Sequence, residues 1–104
     1  LKSKNIEHII EKQIGIFLID IFIKPNICIE IQGDYFHVNP DKYIRYEKLN
    51  EMQKRNIFRD NKKRKYLNDN NYKIIELWEC EIIDDLYIEK LEKFLIENNI
   101  DSKL

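Results

Sequence analysis

Two adjacent strands, predicted from residues 17–37, constrain this chain more than any other feature. Their sequence, FLIDIFIKPNICIEIQGDYFH, is rich in isoleucine, phenylalanine and tyrosine, which half-buried strands favour. Pro25 and Asn26 interrupt it with a pair typical of a tight turn. The pattern therefore predicts antiparallel strands over residues 14–23 and 27–32, followed by a loop.

Each of these strands carries one carboxylate. Because side chains alternate between the two faces of a strand, Asp20 lies among apolar residues of the first strand, and Glu30 shares a face with Gln32 of the second. An unpaired carboxylate inside an apolar strand costs several kcal/mol, so each of the two needs compensation. A divalent cation held between Asp20 and Glu30 would supply it. The pair therefore predicts a metal site.

Length and composition limit the class of protein. Residues 1–104, with 36 % charged residues, two glycines and two prolines, are expected to form a single ordered domain. No apolar run approaches the roughly 20 residues of a membrane span, so we expect no membrane association. Cys28 and Cys80 are too few for a disulfide framework and, with only two histidines, argue against a structural zinc site. We expect an intracellular, cytoplasmic domain.

Basic residues concentrate in the middle of the chain. Residues 42–73 hold 11 lysines and arginines against four carboxylates, a net charge of +7, whereas the remainder carries −8. A basic region between acidic ends is typical of a phosphate-binding surface. A solvated helix face rich in lysine is the alternative, and charge alone does not decide between them. The residues that we expect to contact phosphate groups are Arg55, Arg59, Lys62, Lys63 and Lys65.

Residues 3–12 and 72–78 have less distinctive patterns. Residues 3–12 carry three isoleucines on one helical stripe and predict a short helix, whose Glu7 and Glu11 could reach the strands. Residues 72–78 are apolar on both faces and predict a third strand at the centre of the sheet.

Two longer segments also predict helices. The first runs from Asp41, its expected cap, to about Asn70, and an interruption near Asn50 or Asn56 stays open. The second covers residues 79–99 and is acidic and amphipathic. Its apolar positions, expected to be mostly buried, are Ile82, Ile83, Leu86, Ile88, Leu91, Leu95 and Ile96.

His37 and Asp60 are further candidates for chemistry. His37 lies in the loop after the second strand, and an imidazole there is suited to proton transfer because its ordinary pKa is about 6.5. Asp60 shares a helical stripe with Arg64 and Leu67. It either pairs with Arg64 or faces inward and orients His37.

Together these residues form the pattern D-x₉-E-x-Q, followed by a histidine loop and a basic helix. Metal-dependent phosphodiester hydrolysis needs such parts, because carboxylate oxygens hold Mg²⁺ and a third group positions the nucleophile. His37 is the nearest titratable group in sequence with a suitable ordinary pKa, so it is the predicted base, and Lys63 is its rival. A partner-binding module, whose carboxylates only pair with lysine or arginine, is the alternative. It predicts no effect of Mg²⁺ on thermal stability.

The segments IDIFIKPNICIEIQGDYFHVNP and RDNKKRKYLNDNNYKIIELWECEI together resemble the Vsr-like, EDxHD-type branch of the PD-(D/E)xK nucleases. That branch includes very-short-patch repair endonucleases and the nuclease domains of phage homing endonucleases. The resemblance covers about residues 14–83 and implies an α/β fold, a small mixed β-sheet flanked by helices in a restriction-endonuclease-like core. The zinc site of the repair enzymes has no counterpart here, which favours the homing-endonuclease interpretation.

The resemblance implies Mg²⁺-dependent (or Mn²⁺-dependent) cleavage of double-stranded DNA. It implies that Asp20 binds the metal, that His37 is the general base and that Asp60 is its acidic partner. Gln32 falls at or near the position where PD-(D/E)xK enzymes often carry lysine, two residues after Glu30.

Several expectations stay open beside this one. Glu7 or Glu11 would supply the leading glutamate of the EDxHD pattern. The alternative functions are a very-short-patch mismatch-repair-type nicking endonuclease and a catalytically inactive nuclease fold that only binds nucleic acid. A homodimer is an open option. Because the chain starts at Leu1, we expect a fragment of a longer protein with a separate DNA-binding region.

Overall fold

The computed structural model describes residues 6–40, 42 and 48–98 of the chain. Within these residues four strands and three helices follow one another. They are β1 (Ile9–Ile14), β2 (Phe17–Ile23), β3 (Ile27–Gln32), α1 (Glu51–Asp69), β4 (Lys73–Trp78), α2 (Glu79–Ile83) and α3 (Tyr87–Glu97).

The strands form one mixed sheet in the order β1-β2-β3-β4. β2 pairs antiparallel with both β1 and β3, whereas β3 and β4 are parallel. Leu67 of α1 packs with apolar residues on one side of the sheet, and Leu95 of α3 packs with those on the other. The sheet therefore lies between helices, which confirms the predicted α/β class.

The strand pair at residues 17–32 is also confirmed. Its antiparallel register joins Ile23 to Ile27 and Ile21 to Ile29, so the connection is the short turn that contains Pro25. Both central strands hold fully buried side chains, which include Ile19 of β2 and Ile27 and Ile29 of β3. Burial of Ile27 and Ile29 on the α3 side fixes the register, since a slip by one residue would turn them to the opposite face.

The predicted helix at residues 3–12 is wrong. Residues 3–5 lie outside the described part of the chain, and Ile9–Ile14 form strand β1. Isoleucine fits helical spacing but favours strands, because its branched side chain restricts χ1 in a helix. The first predicted strand, residues 14–23, is accordingly divided by a two-residue loop at Gly15, whose φ of +59° suits the first position of a Gly-X hairpin turn.

Gly15→Ala should destabilise the fold by about 2 kcal/mol, because a Cβ atom disfavours the left-handed conformation. The added atom would also lie 2.6 Å from Oη of Tyr66 and force that side chain to move. Gly33→Ala is the matched control, since its Cβ would meet nothing closer than 3.7 Å. Urea unfolding of the two variants measures the difference, and an equal loss of stability in both would contradict the assignment.

The long central helix α1 begins at Glu51, directly after Asn50, which is one of the two positions where an interruption was left open. Asn50 is its N-cap, and its side chain accepts from the backbone of Gln53 while the Gln53 side chain accepts from the backbone of Asn50. The predicted cap, Asp41, lies outside the described residues. The helix is continuous through Asn56, so the open question of an interruption there is settled. The reciprocal capping pattern was present in the sequence as an asparagine followed three residues later by a glutamine.

The prediction of a central position for residues 72–78 is also wrong, because β4 pairs with β3 and ends the sheet order. Its apolar character has another cause. Ile75 and Leu77 pack with Leu95 of α3, and Ile74 packs against the cluster that contains Leu67 of α1. Helices therefore cover both faces of this edge strand.

The predicted acidic helix over residues 79–99 is divided in two by a turn at residues 84–86. Residue 99 lies outside the described part. Of the seven apolar positions expected to be mostly buried, only Leu95 is fully buried, and Ile82 and Leu91 are partly covered. The exposed ones are Ile83, Leu86, Ile88 and Ile96. The turn changes the helical phase, so one continuous apolar stripe cannot form.

Candidate active site

Asp20 and Glu30 come together where the β2–β3 pairing ends. The backbone pairing of β2 and β3 reaches the pair of Ile21 and Ile29. Past this pair, hydrogen bonds between side chains and backbone join the two strands. The Oδ2 atom of Asp20 accepts a 2.8 Å hydrogen bond from the backbone nitrogen of Ile31. In return, the backbone nitrogen of Asp20 donates to Oε1 of Glu30 over 3.4 Å. The two carboxylates that the sequence predicted as a site are therefore neighbours.

Lys63 of α1 compensates the charge of Glu30. Its Nζ lies 2.7 Å from Oε2 of Glu30 and also donates to the backbone oxygen of Leu18 over 2.8 Å. The side chains of Glu30 and Lys63 are only 8 % and 19 % exposed. Burial raises the pKa of the Glu30 carboxyl, and the hydrogen bond from Lys63 opposes that rise without cancelling it. The structure thus provides an ammonium group where the sequence predicted a metal cation.

His37 and Asp60 form a second pair. The Nδ1 atom of His37 lies 2.7 Å from Oδ2 of Asp60. The side chain of Asp60 is 12 % exposed and that of His37 is 32 % exposed. Asp60 therefore faces inward toward His37, which is one of the two arrangements left open by the sequence. The second ring nitrogen of His37, Nε2, has no partner among the described residues and is the one available to a substrate or water.

The other arrangement, a pair between Asp60 and Arg64, is absent from the described residues because Arg64 binds Glu76. The guanidinium Nη2 atom lies 2.9 Å from Oε2 of Glu76, and the Nε2 atom of Gln32 donates to the same oxygen over 2.7 Å. Burial raises the pKa of the Glu76 carboxyl, but the hydrogen bonds from Arg64 and Gln32 outweigh it and hold this pKa below its ordinary value.

Glu76 is a further carboxylate beside Gln32 and Glu30, and the sequence did not single it out. It lies directly beside Glu30 in the parallel register of β3 and β4. The feature that identified Glu30, a carboxylate within an apolar strand, was present in residues 72–78 as well. Gln32, which was placed near the variable catalytic position, is buried and holds Glu76.

A cleft of about 470 Å³ adjoins the His37–Asp60 pair. Polar and apolar groups share its lining, which consists of His37, Val38, Pro40, Leu49, Ile57, Asp60, Asn61, Arg64, Glu76 and Trp78. Asp60 also borders the narrow gap between α1 and the strands where Glu30, Gln32 and Lys63 lie. The histidine pair and the strand carboxylates therefore belong to one contiguous region.

The N-terminal carboxylates, Glu7 and Glu11, are not part of these hydrogen bonds among the described residues. Glu7 precedes β1, and both Glu7 and Glu11 are exposed. Glu11 lies between two residues whose partners are Ile21 and Ile19, which places its backbone opposite Asp20. Its φ of +56° interrupts the regular strand geometry at that point. No hydrogen bond joins either glutamate to Asp20 or Glu30 in the described chain, so a leading glutamate remains a prediction.

The predicted phosphate-binding residues divide into two groups. Arg55, Arg59 and Lys62 are exposed on one stripe of α1, and Lys62 lies 4.5 Å from the centre of the Phe58 ring. Lys65 is also exposed but lies 2.9 Å from Asp69. Lys63 points inward to Glu30, so it is separated from the exposed stripe.

Comparison with known proteins supports the fold. No family model matches this sequence, and no curated protein matches it. A solved structure described as the catalytic domain of the homing endonuclease I-Bth0305I superposes with a TM-score of 0.65. The match covers 92 % of this chain and 85 % of that one at 16 % sequence identity. This likeness shows a shared fold. The helices of the described residues are all too short or too polar to cross a membrane.

Proposed function

We propose that this chain is a metal-dependent DNA endonuclease domain that hydrolyses phosphodiester bonds, the catalytic domain of a homing endonuclease of the Vsr-like PD-(D/E)xK branch. The contact between His37 and Asp60 carries the proposal. A histidine with one ring nitrogen fixed by a carboxylate and the other open to a cleft is suited to general base catalysis. The shared fold with a homing endonuclease catalytic domain supports this assignment.

Asp20 and Glu30 would hold the metal ion. The described residues contain no group of three or more histidine, cysteine or acidic side chains close enough together to hold one ion. Two carboxylates nevertheless suit Mg²⁺ or Mn²⁺, because Mg²⁺ commonly keeps several water molecules and binds one or two carboxylates together with substrate phosphates. Asp20 fits this role, since its Oδ1 atom accepts no hydrogen bond in the described chain while Oδ2 is fixed by Ile31. When bound, such an ion stabilises the charge that develops on the phosphate.

Proton transfer and charge compensation are the roles of His37, Asp60 and Lys63. With Asp60 as the acceptor at Nδ1, the neutral His37 ring carries its proton on that nitrogen and presents the lone pair of Nε2. His37 would take a proton from the attacking water. Lys63 neutralises Glu30 and is the rival group for proton transfer, although its contact with two acceptors leaves it less free to approach a substrate.

Cleavage of plasmid DNA in the presence of Mg²⁺, with wild type beside Asp20→Ala, tests the proposal. We expect nicked or linear products with wild type and a large loss with the variant. Calorimetry should show that Asp20→Ala weakens Mg²⁺ or Mn²⁺ binding. Equal metal affinity in the two proteins would remove Asp20 as a ligand, and absence of cleavage by a folded, metal-bound wild type would remove the endonuclease function.

Arg55, Arg59 and Lys62 should bind DNA phosphates rather than bases. Each replacement by alanine should lower the slope of log affinity against log salt concentration by about 0.9, because one counterion fewer is released. Lys93→Ala is the matched control, since it removes an exposed lysine from α3 rather than α1. Fluorescence anisotropy at several salt concentrations measures these slopes. An affinity that does not change with salt would rule out this surface as the DNA-binding site.

A partner-binding module is the second candidate, and the Glu30–Lys63 pair is the observation that favours it. In that case the carboxylates are already compensated and need no cation. Mg²⁺ would then leave the melting temperature unchanged, whereas a bound ion raises it by mass action.

A very-short-patch-type nicking enzyme and an inactive nucleic-acid-binding domain are further alternatives, which the plasmid experiment distinguishes from double-strand cleavage. The DNA substrate would place the domain in the cytoplasm of a bacterial or phage-infected cell. A homodimer is part of the proposal only if the protein cuts both DNA strands.

A further inference from the structure

The loop that carries His37 lies along one face of α1, and consecutive loop residues contact successive turns of that helix. The side-chain amide of Gln53 donates to the backbone oxygen of Tyr35 over 2.9 Å. The side-chain amide of Asn56 donates to the backbone oxygen of Phe36 over 2.8 Å. Asp60 then accepts from the ring of His37.

The three α1 residues that contact the loop are regularly spaced along the helix. Positions 53, 56 and 60 are separated by three and four residues, so their side chains project from one stripe of the helix. The two amides hold backbone oxygens directly before His37, whereas Asp60 holds its ring. The backbone and the imidazole are thereby fixed by the same rigid element.

We propose that Gln53 and Asn56 are positioning residues that set the orientation of the His37 ring. This inference rests on the proposed role of His37 as general base. Gln53 is 3 % exposed, and its Oε1 atom also accepts from the backbone nitrogen of Asn50 over 3.1 Å. One side chain therefore joins the start of α1 to the loop that carries His37.

Two substitutions separate positioning from folding. Gln53→Glu keeps an oxygen that can accept from Asn50 but loses the amide donor to Tyr35, because an ionised carboxylate only accepts. Asn56→Asp likewise keeps the size of the side chain and loses the donor to Phe36. Asn68→Asp adds the same charge to an exposed position of the same helix, far from the loop, and is the matched control.

The first measurement needs neither DNA nor metal. Nitrogen-15 spectra of the imidazole report which ring nitrogen carries the proton, and hydrogen exchange reports the His37 backbone amide, which donates to the oxygen of Gly33 over 3.0 Å. In both Gln53→Glu and Asn56→Asp we expect a mixture of His37 tautomers and at least about tenfold faster exchange of this amide. Wild type and Asn68→Asp should keep one tautomer and slow exchange.

The second measurement is cleavage. Gln53→Glu and Asn56→Asp should each lower kcat by about 10- to 100-fold with little change in KM, because a misplaced base slows the chemical step rather than DNA binding. Wild-type tautomer, exchange and kcat in both variants would overturn the inference. Altered spectra of the Gln53→Glu and Asn56→Asp proteins with an unchanged kcat would also overturn the inference. Absence of cleavage in every protein, with the expected spectra, would instead refute the proposed function and leave the control of the His37 ring by these amides standing.

Discussion

His37→Ala should lose about 10²- to 10⁴-fold in the rate of DNA cleavage, the usual contribution of a positioned general base. Binding of Mg²⁺ and of DNA should be retained, because the imidazole contacts neither Asp20 nor the exposed basic stripe of α1 in the described chain. Single-turnover cleavage combined with calorimetry and anisotropy separates these properties. His8→Ala is the matched control, since the hydrogen bond that His8 makes within residues 6–40, 42 and 48–98 is to the backbone of Ile6.

Asp60→Asn extends this experiment. An asparagine can still accept from Nδ1 but lacks the charge that stabilises the imidazolium form after proton transfer. We expect a smaller loss of activity than with His37→Ala, or a shifted pH profile. Cleavage by His37→Ala at the wild-type rate from about pH 6 to 9 would transfer the role to Lys63 or to metal chemistry alone.

Lys63→Met should destabilise the domain by about 3 kcal/mol at neutral pH, because it leaves the buried carboxylate of Glu30 without its cation. Glu30→Gln should cost far less. Burial has already raised the pKa of Glu30 despite Lys63, so the ionised form opposes folding relative to a neutral side chain. Urea unfolding of both variants and of the double variant Glu30→Gln/Lys63→Met measures the coupling. Equal losses in the two single variants would contradict this interpretation.

The pH dependence of Lys63→Met follows from the same pKa. A carboxyl whose pKa is raised in the folded state stabilises the fold at pH values below its unfolded pKa, and this contribution is lost as pH rises through the folded pKa. Without Lys63 the raised pKa should rise further. The stability difference between wild type and Lys63→Met should therefore shrink as pH falls and Glu30 takes a proton.

Lys63→Met should strengthen metal binding although it weakens the stability of the fold. Removing the ammonium group beside Glu30 removes a positive charge that competes with a divalent cation, so Lys63→Met should bind Mn²⁺ more tightly than wild type. Weaker binding would show that Lys63 supports the metal site instead, by holding Glu30 in place. Calorimetry near neutral pH distinguishes the two outcomes.

Local features of the sequence were enough for the central strands and the candidate chemistry. Alternation with a Pro-Asn turn identified β2 and β3, and carboxylates within apolar strands identified Asp20 and Glu30, because these patterns depend on short-range geometry. The helical spacing of Asp60, Arg64 and Leu67 left two arrangements of Asp60 open, and the structure shows the one in which it faces His37. Hairpin and cap residues at Gly15 and Asn50 were present too, but they compete with equally good helical patterns.

Only the tertiary structure decided what each of these groups contacts. The segment at residues 9–14 is a strand because β2 supplies its hydrogen bonds. β4 is apolar on both faces although it ends the sheet order, because helices pack on both of its faces. Glu30 receives its cation from Lys63, 33 positions away along the chain. Such a pairing depends on how α1 crosses the sheet, and helix packing depends on the combined shape of many side chains rather than on any local pattern.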